Sequence, residues 1–359
     1  MSMLRQAQPG QRNQIRADVD TYLTEFYEAE IARAEAVSPD YARLWRVLLD
    51  TYVAGGKRLR PYMLLLAHGA CGGDPEQDTM PAAAALELLH CSLLIHDDII
   101  DRDIVRHGKP NVAGQYRAIY DGADAAAKRD HLADSAAILG GDLLLAAAHR
   151  LIAESKLDTE KKLEALRFLS DAVFNVAGGE LLDAESVIKR LPDVDSLAIA
   201  KYKTAHYSFV TPLVMGASLA GASLTVRTQL IEYGLALGVA FQMADDLLGL
   251  FGDEEETGKP ATSDLREGRR TYLLQQAYKM AGPAEIAELD AIVGDENVTN
   301  EQLERARAIV RECGAYDATI AEIQQYTQQA EVALGGLEFA PEFHAEFMAL
   351  INRATVRRA

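Results

Sequence analysis

Apolar side chains recur every three to four positions along almost the whole chain from Ala17 onward. The pattern is clear in TYLTEFYEAEIARAEAV and YARLWRVLLDTYV, and it continues as far as IAEIQQYTQQAEVAL. This spacing predicts helices, because side chains three and four residues apart share one helix face. Breaks rich in Gly, Pro and Asp, such as GGKRLRP and CGGDPEQDTMP, separate the helices, and no alternating pattern typical of strands is found.

Several segments are apolar around most of the helix circumference, as in helices buried within a large bundle. They are residues 82–95, 136–152, 209–224 and 230–252. No Pro- or Ser-rich linker divides the chain. We therefore predict an all-α fold, a single-domain helical bundle over residues 15–359, preceded by a flexible polar N-terminus at residues 1–14.

The 359-residue chain carries a formal net charge of −18 at pH 7, which argues against a nucleic-acid partner because that needs a basic surface. Its three cysteines, Cys71, Cys91 and Cys313, have neither zinc-site spacing nor a disulfide pattern, and they indicate a reducing compartment. The N-terminal segment lacks the apolar core of a signal peptide, and no apolar stretch approaches the roughly 20 residues of a membrane span. The sequence therefore predicts a cytoplasmic protein without stable membrane insertion.

Two of the apolar helices end in a pair of aspartates. Asp97 and Asp98 follow ALELLHCSLLI, with Asp101 one turn further, and Asp245 and Asp246 follow GLALGVAFQMA. Positions i and i+4 lie on one helix face, so Asp97 and Asp101 can bind the same hard cation. Carboxylate ligands favour magnesium over zinc. A helix end that reaches water would explain either cluster alone, but its recurrence favours a metal site, with the two helices facing one cavity.

Basic side chains gather at the breaks of this otherwise acidic chain. They are Lys57, Arg58, Arg60, Arg106, His107, Lys109, Lys201, Lys203, Lys259, Arg266, Arg269 and Arg270. Each taken singly is an ordinary surface charge. Together with the two acidic clusters and the apolar helices, they indicate a substrate with a diphosphate head and a hydrocarbon tail.

The order of these motifs resembles that of the trans-isoprenyl diphosphate synthases of the polyprenyl synthetase family, over residues 40–355. GGKRLRP is followed by ALELLHCSLLIHDDIID, RHGKP, GGELLD, KYKTA, FQMADDLLGLFGD and TGKPATSDLREGRRT. The resemblance implies a homodimer with the isoprenoid synthase fold and a central apolar cavity. It also implies head-to-tail condensation of isopentenyl diphosphate with an allylic diphosphate, with about three magnesium ions in each site.

The resemblance assigns roles to the residues at the motif positions. Magnesium is expected on Asp97, Asp101 and Asp245, with Asp98 and Asp246 in support. The allylic diphosphate is expected on Arg106, Lys203, Gln242, Lys259 and Arg269. Isopentenyl diphosphate is expected on Lys57, Arg60, His90 and His107. Thr204 and Gln242 are expected beside the forming carbocation, and Asp183 matches the aspartate of GGELLD.

Three positions depart from the family pattern. His107 replaces the second arginine before Gly-x-Pro, and this predicts looser or pH-sensitive binding of isopentenyl diphosphate, because neutral imidazole is a weaker partner for anions than guanidinium. Gly249 replaces the last aspartate of the second cluster, and Glu180 replaces a common glutamine. If position 249 has to ligate magnesium, its loss would count against activity.

Product length is expected to depend on residues that precede Asp97 on the same helix. Ser92 and Leu93 lie about one turn deeper, and Leu89 lies deeper still. By the resemblance, bulky aromatic side chains at these positions close the pocket at a fifteen-carbon product. We therefore expect geranylgeranyl diphosphate, with farnesyl diphosphate or a longer polyprenyl diphosphate as the alternative.

Two other classes of protein stay open. A terpene cyclase shares the fold, but it usually carries an Asn/Asp-Ser/Thr-Glu motif where this chain has Asp245 and Asp246. A catalytically silent partner subunit of a heteromeric synthase would fit His107 and Gly249. An assay of the chain alone separates this subunit from an enzyme.

Overall fold

The computed structural model describes residues 12–122, 125–252 and 262–355, which are almost entirely helical. In chain order, its helices and strands are α1 (Arg12–Glu35), α2 (Pro39–Val53), α3 (Leu59–Ala70), α4 (Met80–Ile100), β1 (Val105–Arg106), β2 (Lys109–Pro110), α5 (Val112–Ile119), α6 (Ala126–Glu154), α7 (Thr159–Ser186), a 3₁₀ turn (Leu191–Asp193), α8 (Ser196–Ile199), a π-helix (Ala200–Val210), α9 (Thr211–Leu219), α10 (Leu224–Phe251), α11 (Ser263–Arg266), α12 (Tyr272–Met280), α13 (Pro283–Ile292), α14 (Asn300–Glu312), α15 (Ala315–Gly335) and α16 (Pro341–Thr355). The predicted all-α fold is confirmed.

The described residues form two compact units. The first runs to Leu169 and includes Ser218–Ala220, and the second contains Ser170–Ala217 and the residues from Gly221 onward. The single domain over residues 15–359 stays a prediction. Helix α1 begins at Arg12, so the last three residues of the predicted flexible segment are helical, and residues 1–11 lie outside the described residues.

In the first unit, α4 packs mainly against α6. Residues 80–89 of α4 are buried on every side, as its apolar sequence MPAAAALELL predicts. Gly141 of α6 lies directly against His96 of α4, because a Cβ at position 141 would come within 2.2 Å of the His96 Nε2. This tight packing fixes the helix that ends in the first acidic cluster.

In the second unit, α10 packs against the π-helix and α15. A Cβ on Gly238 of α10 would lie 2.5 Å from the Ala205 Cα, so glycine is needed for the two backbones to approach this closely. A π-helix is rare and is often found at functional sites. Here it carries Lys203 and Thr204 beside the helix of the second acidic cluster.

Two helices, α6 and α10, are long and apolar enough by length and composition to cross a membrane. The sequence prediction that no apolar stretch approaches this length was therefore wrong. Of the most apolar 18-residue segment, 50% is buried inside the protein in α6 and 56% in α10. Core helices of globular domains meet the same test for this reason, so the two helices give only weak support for a membrane span.

Candidate active site

The first acidic cluster, at the end of α4, is paired with Arg106 on β1. The Arg106 Nε donates to Asp98 Oδ1 at 2.7 Å, and an Nη donates to Asp97 Oδ2 at 3.1 Å. Asp98 is only 4% exposed, whereas Asp97 and Asp101 are partly exposed. The guanidinium supplies the counter-charge that allows two adjacent aspartates to share the end of an apolar helix.

Burial and pairing oppose each other in the Asp98–Arg106 pair. Burial, with the nearby charge of Asp97, raises the pKa of Asp98 to about 6, although the hydrogen bond from Arg106 opposes this. Burial by itself would lower the pKa of Arg106, but the carboxylates of Asp98 and Asp97 outweigh it and raise that pKa. The two groups therefore form an ion pair at neutral pH.

A tight hairpin places Arg106 beside this cluster. Strands β1 and β2 are antiparallel, and the turn between them is His107 (φ 53°) and Gly108 (φ 72°). Two successive residues with positive φ are typical of a type I′ turn, which joins two strands with the fewest residues. With strands of two residues each, the RHGKP break gave no alternating pattern from which a hairpin could be predicted.

Beside the GGKRLRP segment lies a narrow cavity of about 50 Å³. Among the residues that line it are Gly55, Arg58, His90, Asp98, Arg106 and His107. Burial and the charges of Arg60 and Arg106 hold the pKa of His90 well below its usual value. Glu87 and Asp98 line the same cavity and pair with Arg58 and Arg106, so the guanidinium charges near the imidazole are balanced by carboxylates.

Arg58 anchors the segment that carries the other predicted ligands of isopentenyl diphosphate. It is 5% exposed, and it donates to Asp20 Oδ1 at 2.6 Å and to Glu87 Oε1 at 3.0 Å. Its backbone lies in the left-handed region, with φ 47°. Lys57 is exposed and Arg60 is partly buried on either side of this anchor. The basic triplet therefore divides into one structural arginine and two side chains that keep their predicted role toward isopentenyl diphosphate.

His107, the first departure from the family pattern, packs against the same segment. A Cβ on Gly55 would lie 3.0 Å from the His107 Cδ2, so glycine lets the ring lie against the backbone there. The ring also lines the cavity that contains His90. The structure thus places His107 with the predicted ligands of isopentenyl diphosphate.

In the second unit, hydrogen bonds connect the second acidic cluster to the π-helix. The Thr204 hydroxyl donates to Gln242 Oε1 at 2.6 Å, and the Gln242 Nε2 donates to Asp246 Oδ1 at 2.8 Å. Asp245 is exposed, whereas Asp246 is partly buried. Burial, with the charges of Asp264 and Asp245, raises the pKa of Asp246 to about 8. The two adjacent aspartates therefore differ in exposure and in their surroundings.

Lys203 on the π-helix lies between two carboxylates of α7. Its Nζ is 2.7 Å from Asp183 Oδ2 and 2.9 Å from Glu180 Oε2. Gly179 makes this possible, because a Cβ at that position would lie 2.1 Å from the Lys203 backbone nitrogen. Glu180, which replaces the glutamine common in the family, therefore adds a second carboxylate in contact with the ammonium group of Lys203.

Arg269 lies beside Asp264, a residue that the sequence analysis missed. The Arg269 N–H donates to the Asp264 carbonyl oxygen at 3.0 Å, and its Nε lies 3.8 Å from Asp264 Oδ1. Asp264 follows a long break without helical periodicity, where no pattern shows which side chains meet the core. The glycine at position 249, where the family pattern has an aspartate, was the one sequence feature that could have prompted a search for another carboxylate. Lys259 lies outside the described residues.

The three residues expected to control product length lie on α4, which contains no Phe, Tyr or Trp. Leu89 is fully buried, Ser92 is 1% exposed and Leu93 is partly buried. The positions that the resemblance links to product length therefore carry a small hydroxyl and two leucines.

A larger cavity, of about 1230 Å³, lies elsewhere in the second unit, between the π-helix, α10 and α15. Lys201, Glu232 and Tyr326 are among the residues that line it. It contains none of the residues predicted for the active site, so size alone does not identify the site in this protein.

A sequence model of the family described as polyprenyl synthetase matches residues 43–310. The chain belongs to the polyprenyl synthetase family. Geranylfarnesyl diphosphate synthase of Aeropyrum pernix is 34% identical over 93% of this chain and 96% of its own. Geranylgeranyl diphosphate synthase of Saccharolobus solfataricus is 34% identical over 77% and 78%. Relatives named as farnesyl diphosphate synthases also match.

Among solved structures, geranylgeranyl pyrophosphate synthase of Corynebacterium glutamicum, complexed with isoprenyl diphosphate and magnesium, has a TM-score of 0.90 and 31% identity, covering 97% of this chain and 99% of its own. The chain is therefore a prenyltransferase, a trans-prenyl diphosphate synthase. The resemblance expected from the order of its motifs is confirmed. The roles assigned to single residues stay predictions.

Proposed function

We propose that this synthase condenses isopentenyl diphosphate with an allylic diphosphate in a magnesium-dependent reaction, and that its main product is geranylgeranyl diphosphate. The observation that carries the proposal is the first acidic cluster at the end of α4, where the partly exposed Asp97 lies 3.1 Å from an Nη of Arg106. A carboxylate that can bind magnesium next to a guanidinium group provides both kinds of partner that a diphosphate uses.

The side chains supply electrostatic stabilisation of the leaving group and shielding of the carbocation. Loss of diphosphate from the allylic carbon leaves a delocalised cation, and the charge on the departing oxygens needs positive partners. Arg106 and Lys203, which now contact carboxylates, would donate to those oxygens. The oxygens of Thr204 and Gln242 would face the cation. The alkene of isopentenyl diphosphate then forms the new carbon–carbon bond, and a proton leaves to the released diphosphate.

The donor atoms fit magnesium that arrives with the substrate. Within residues 12–122, 125–252 and 262–355, no three His, Cys, Asp or Glu side chains are gathered into a metal site. Magnesium is usually bound through one or two carboxylates, substrate phosphates and water, not in an all-protein cage. Asp97, Asp101 and Asp245 would hold it by their carboxylates, and bound magnesium neutralises charge on the leaving diphosphate.

The proposed product length follows from α4. An isoprenoid tail that extends past Ser92 meets a small hydroxyl, and the leucines at positions 89 and 93 are flexible compared with an aromatic ring. The names of the relatives cover farnesyl, geranylgeranyl and geranylfarnesyl diphosphate, so membership of the family does not by itself set the product length. We therefore propose twenty carbons as the main product of this chain.

One assay tests the reaction and the product together. The purified chain is incubated with magnesium, isopentenyl diphosphate and each of three allylic primers of five, ten and fifteen carbons, and the dephosphorylated products are separated by chromatography. We expect a twenty-carbon product from all three. A main product of fifteen carbons, or of more than twenty, would contradict the proposed length. Absence of any product from the chain alone would favour the silent-subunit alternative.

The homodimer and the three magnesium ions are proposed on the resemblance alone, and the cytoplasmic location is proposed on the cysteine pattern and the absence of a signal-peptide core in the N-terminal segment. Light scattering coupled to size-exclusion chromatography measures the oligomeric state. A monomer under assay conditions would refute the dimer without affecting the reaction.

A further inference from the structure

Gly249 lies one helical turn after Asp245 on α10, at the position where the second acidic motif lacks its last aspartate. Positions i and i+4 share a helix face, so a side chain at position 249 would stand beside Asp245. That place is occupied. A Cβ built on Gly249 would lie 2.0 Å from Asp264 Oδ2 and 3.1 Å from Asp264 Cγ.

Asp264 reaches this place from α11, a separate segment of the chain. The backbone N–H of Arg269 donates to the Asp264 carbonyl oxygen at 3.0 Å. The Arg269 Nε donates to Glu267 Oε2 and lies 3.8 Å from Asp264 Oδ1. By position, Asp264 thus belongs to the second acidic cluster.

We propose that Asp264 supplies the third carboxylate of the second acidic cluster, and that position 249 is glycine because this carboxylate occupies the volume of its side chain. Asp264 would be a positioning residue for the magnesium-bound diphosphate. The inference rests on the proposed function, because it gives the cluster a role toward that ligand. It also explains how the enzyme tolerates the loss of an acidic residue from its motif.

The proposal makes Gly249 and Asp264 one coupled pair. In Gly249→Ala the methyl group pushes the Asp264 carboxylate away, so this variant should lose the same interaction as Asp264→Ala. We expect each variant to bind inorganic pyrophosphate in the presence of Mg²⁺ about 10-fold more weakly than the wild type, by calorimetry. The double variant should bind no more weakly than Asp264→Ala alone, because the interaction can be lost only once.

Three further variants control for folding and shape. Asp264→Asn keeps the shape but removes the charge, and it should also lose affinity. Gly335→Ala, at a helical glycine whose Cβ would meet open space, should bind as the wild type does. The exchange Gly249→Asp with Asp264→Ala moves the carboxylate back onto α10 and should recover at least part of the affinity. Unfolding midpoints measured without Mg²⁺ report whether each variant is folded.

The inference would be overturned if the two losses of pyrophosphate affinity multiply in the double variant. It would also be overturned if a folded Gly249→Ala binds pyrophosphate as the wild type does. In both cases the proposed function stands. A wild type that neither binds Mg²⁺ with pyrophosphate nor makes product would overturn the proposed function, and the inference with it. If Gly249→Ala does not fold, Asp264→Asn and the exchange variant decide, and normal binding by Asp264→Asn overturns the inference.

Discussion

The buried Arg58 allows the sharpest test of how the fold supports the site. Arg58→Met keeps the length of the side chain but removes its charge and its hydrogen bonds to Asp20, Glu87 and the carbonyl oxygens of Gly55 and Tyr52. Asp20 is 35% exposed and can be hydrated instead, but the Glu87 side chain is 3% exposed and cannot. Breaking a buried pair at one partner costs about 3 to 5 kcal/mol, so we expect that loss in the free energy of unfolding.

The loss should depend on pH, because burial already raises the pKa of Glu87 against the opposing charge of Arg58. A carboxyl whose pKa is raised in the folded state favours folding at low pH, and this stability is lost as pH rises through the folded pKa. Without Arg58 the pKa rises further. The destabilisation by Arg58→Met should therefore be larger at about pH 8 than at about pH 5.

Urea unfolding at both pH values measures the effect, with two companion variants. Arg190→Met removes an exposed pair with Asp193 and should cost less than about 1 kcal/mol. Adding Glu87→Gln to Arg58→Met should recover part of the loss. Equal destabilisation at both pH values, or a loss no larger than that of Arg190→Met, would refute the reasoning. In the folded variant, the KM for isopentenyl diphosphate should rise more than kcat falls.

Three other outcomes are expected. Glu180→Gln removes one of the two carboxylates on Lys203, so steady-state kinetics should show a lower KM for the allylic diphosphate, and an unchanged or higher KM contradicts this. Removal of Mg²⁺ with EDTA should abolish turnover but leave the unfolding midpoint unchanged, since no preformed metal site was found among the described residues; a lower midpoint by circular dichroism would contradict this. Ser92→Phe with Leu93→Phe should shorten the main product to fifteen carbons, and an unchanged chromatogram would refute the role of these positions.

The helices and the acidic clusters could be predicted because both are local properties of the sequence. A repeat of three to four residues encodes which face of a helix is buried, so α4 and α10 followed from their apolar runs. Asp-Asp at the end of one such run can mark a helix end that reaches water, but its recurrence on a second apolar helix favours a metal site. The family followed from the order of several such motifs, which needs no knowledge of tertiary contacts.

The tertiary structure decided what depends on contacts between segments far apart in the chain. Nothing in GGKRLRP shows that Arg58 is buried against Asp20 and Glu87. Nothing near Gly249 shows that the Asp264 carboxylate lies where its side chain would be. A loop has no periodic pattern that shows which of its side chains face the core. A glycine in the sequence does not show which atom of another segment packs against it. Those two facts are determined by close packing, which the local sequence does not encode.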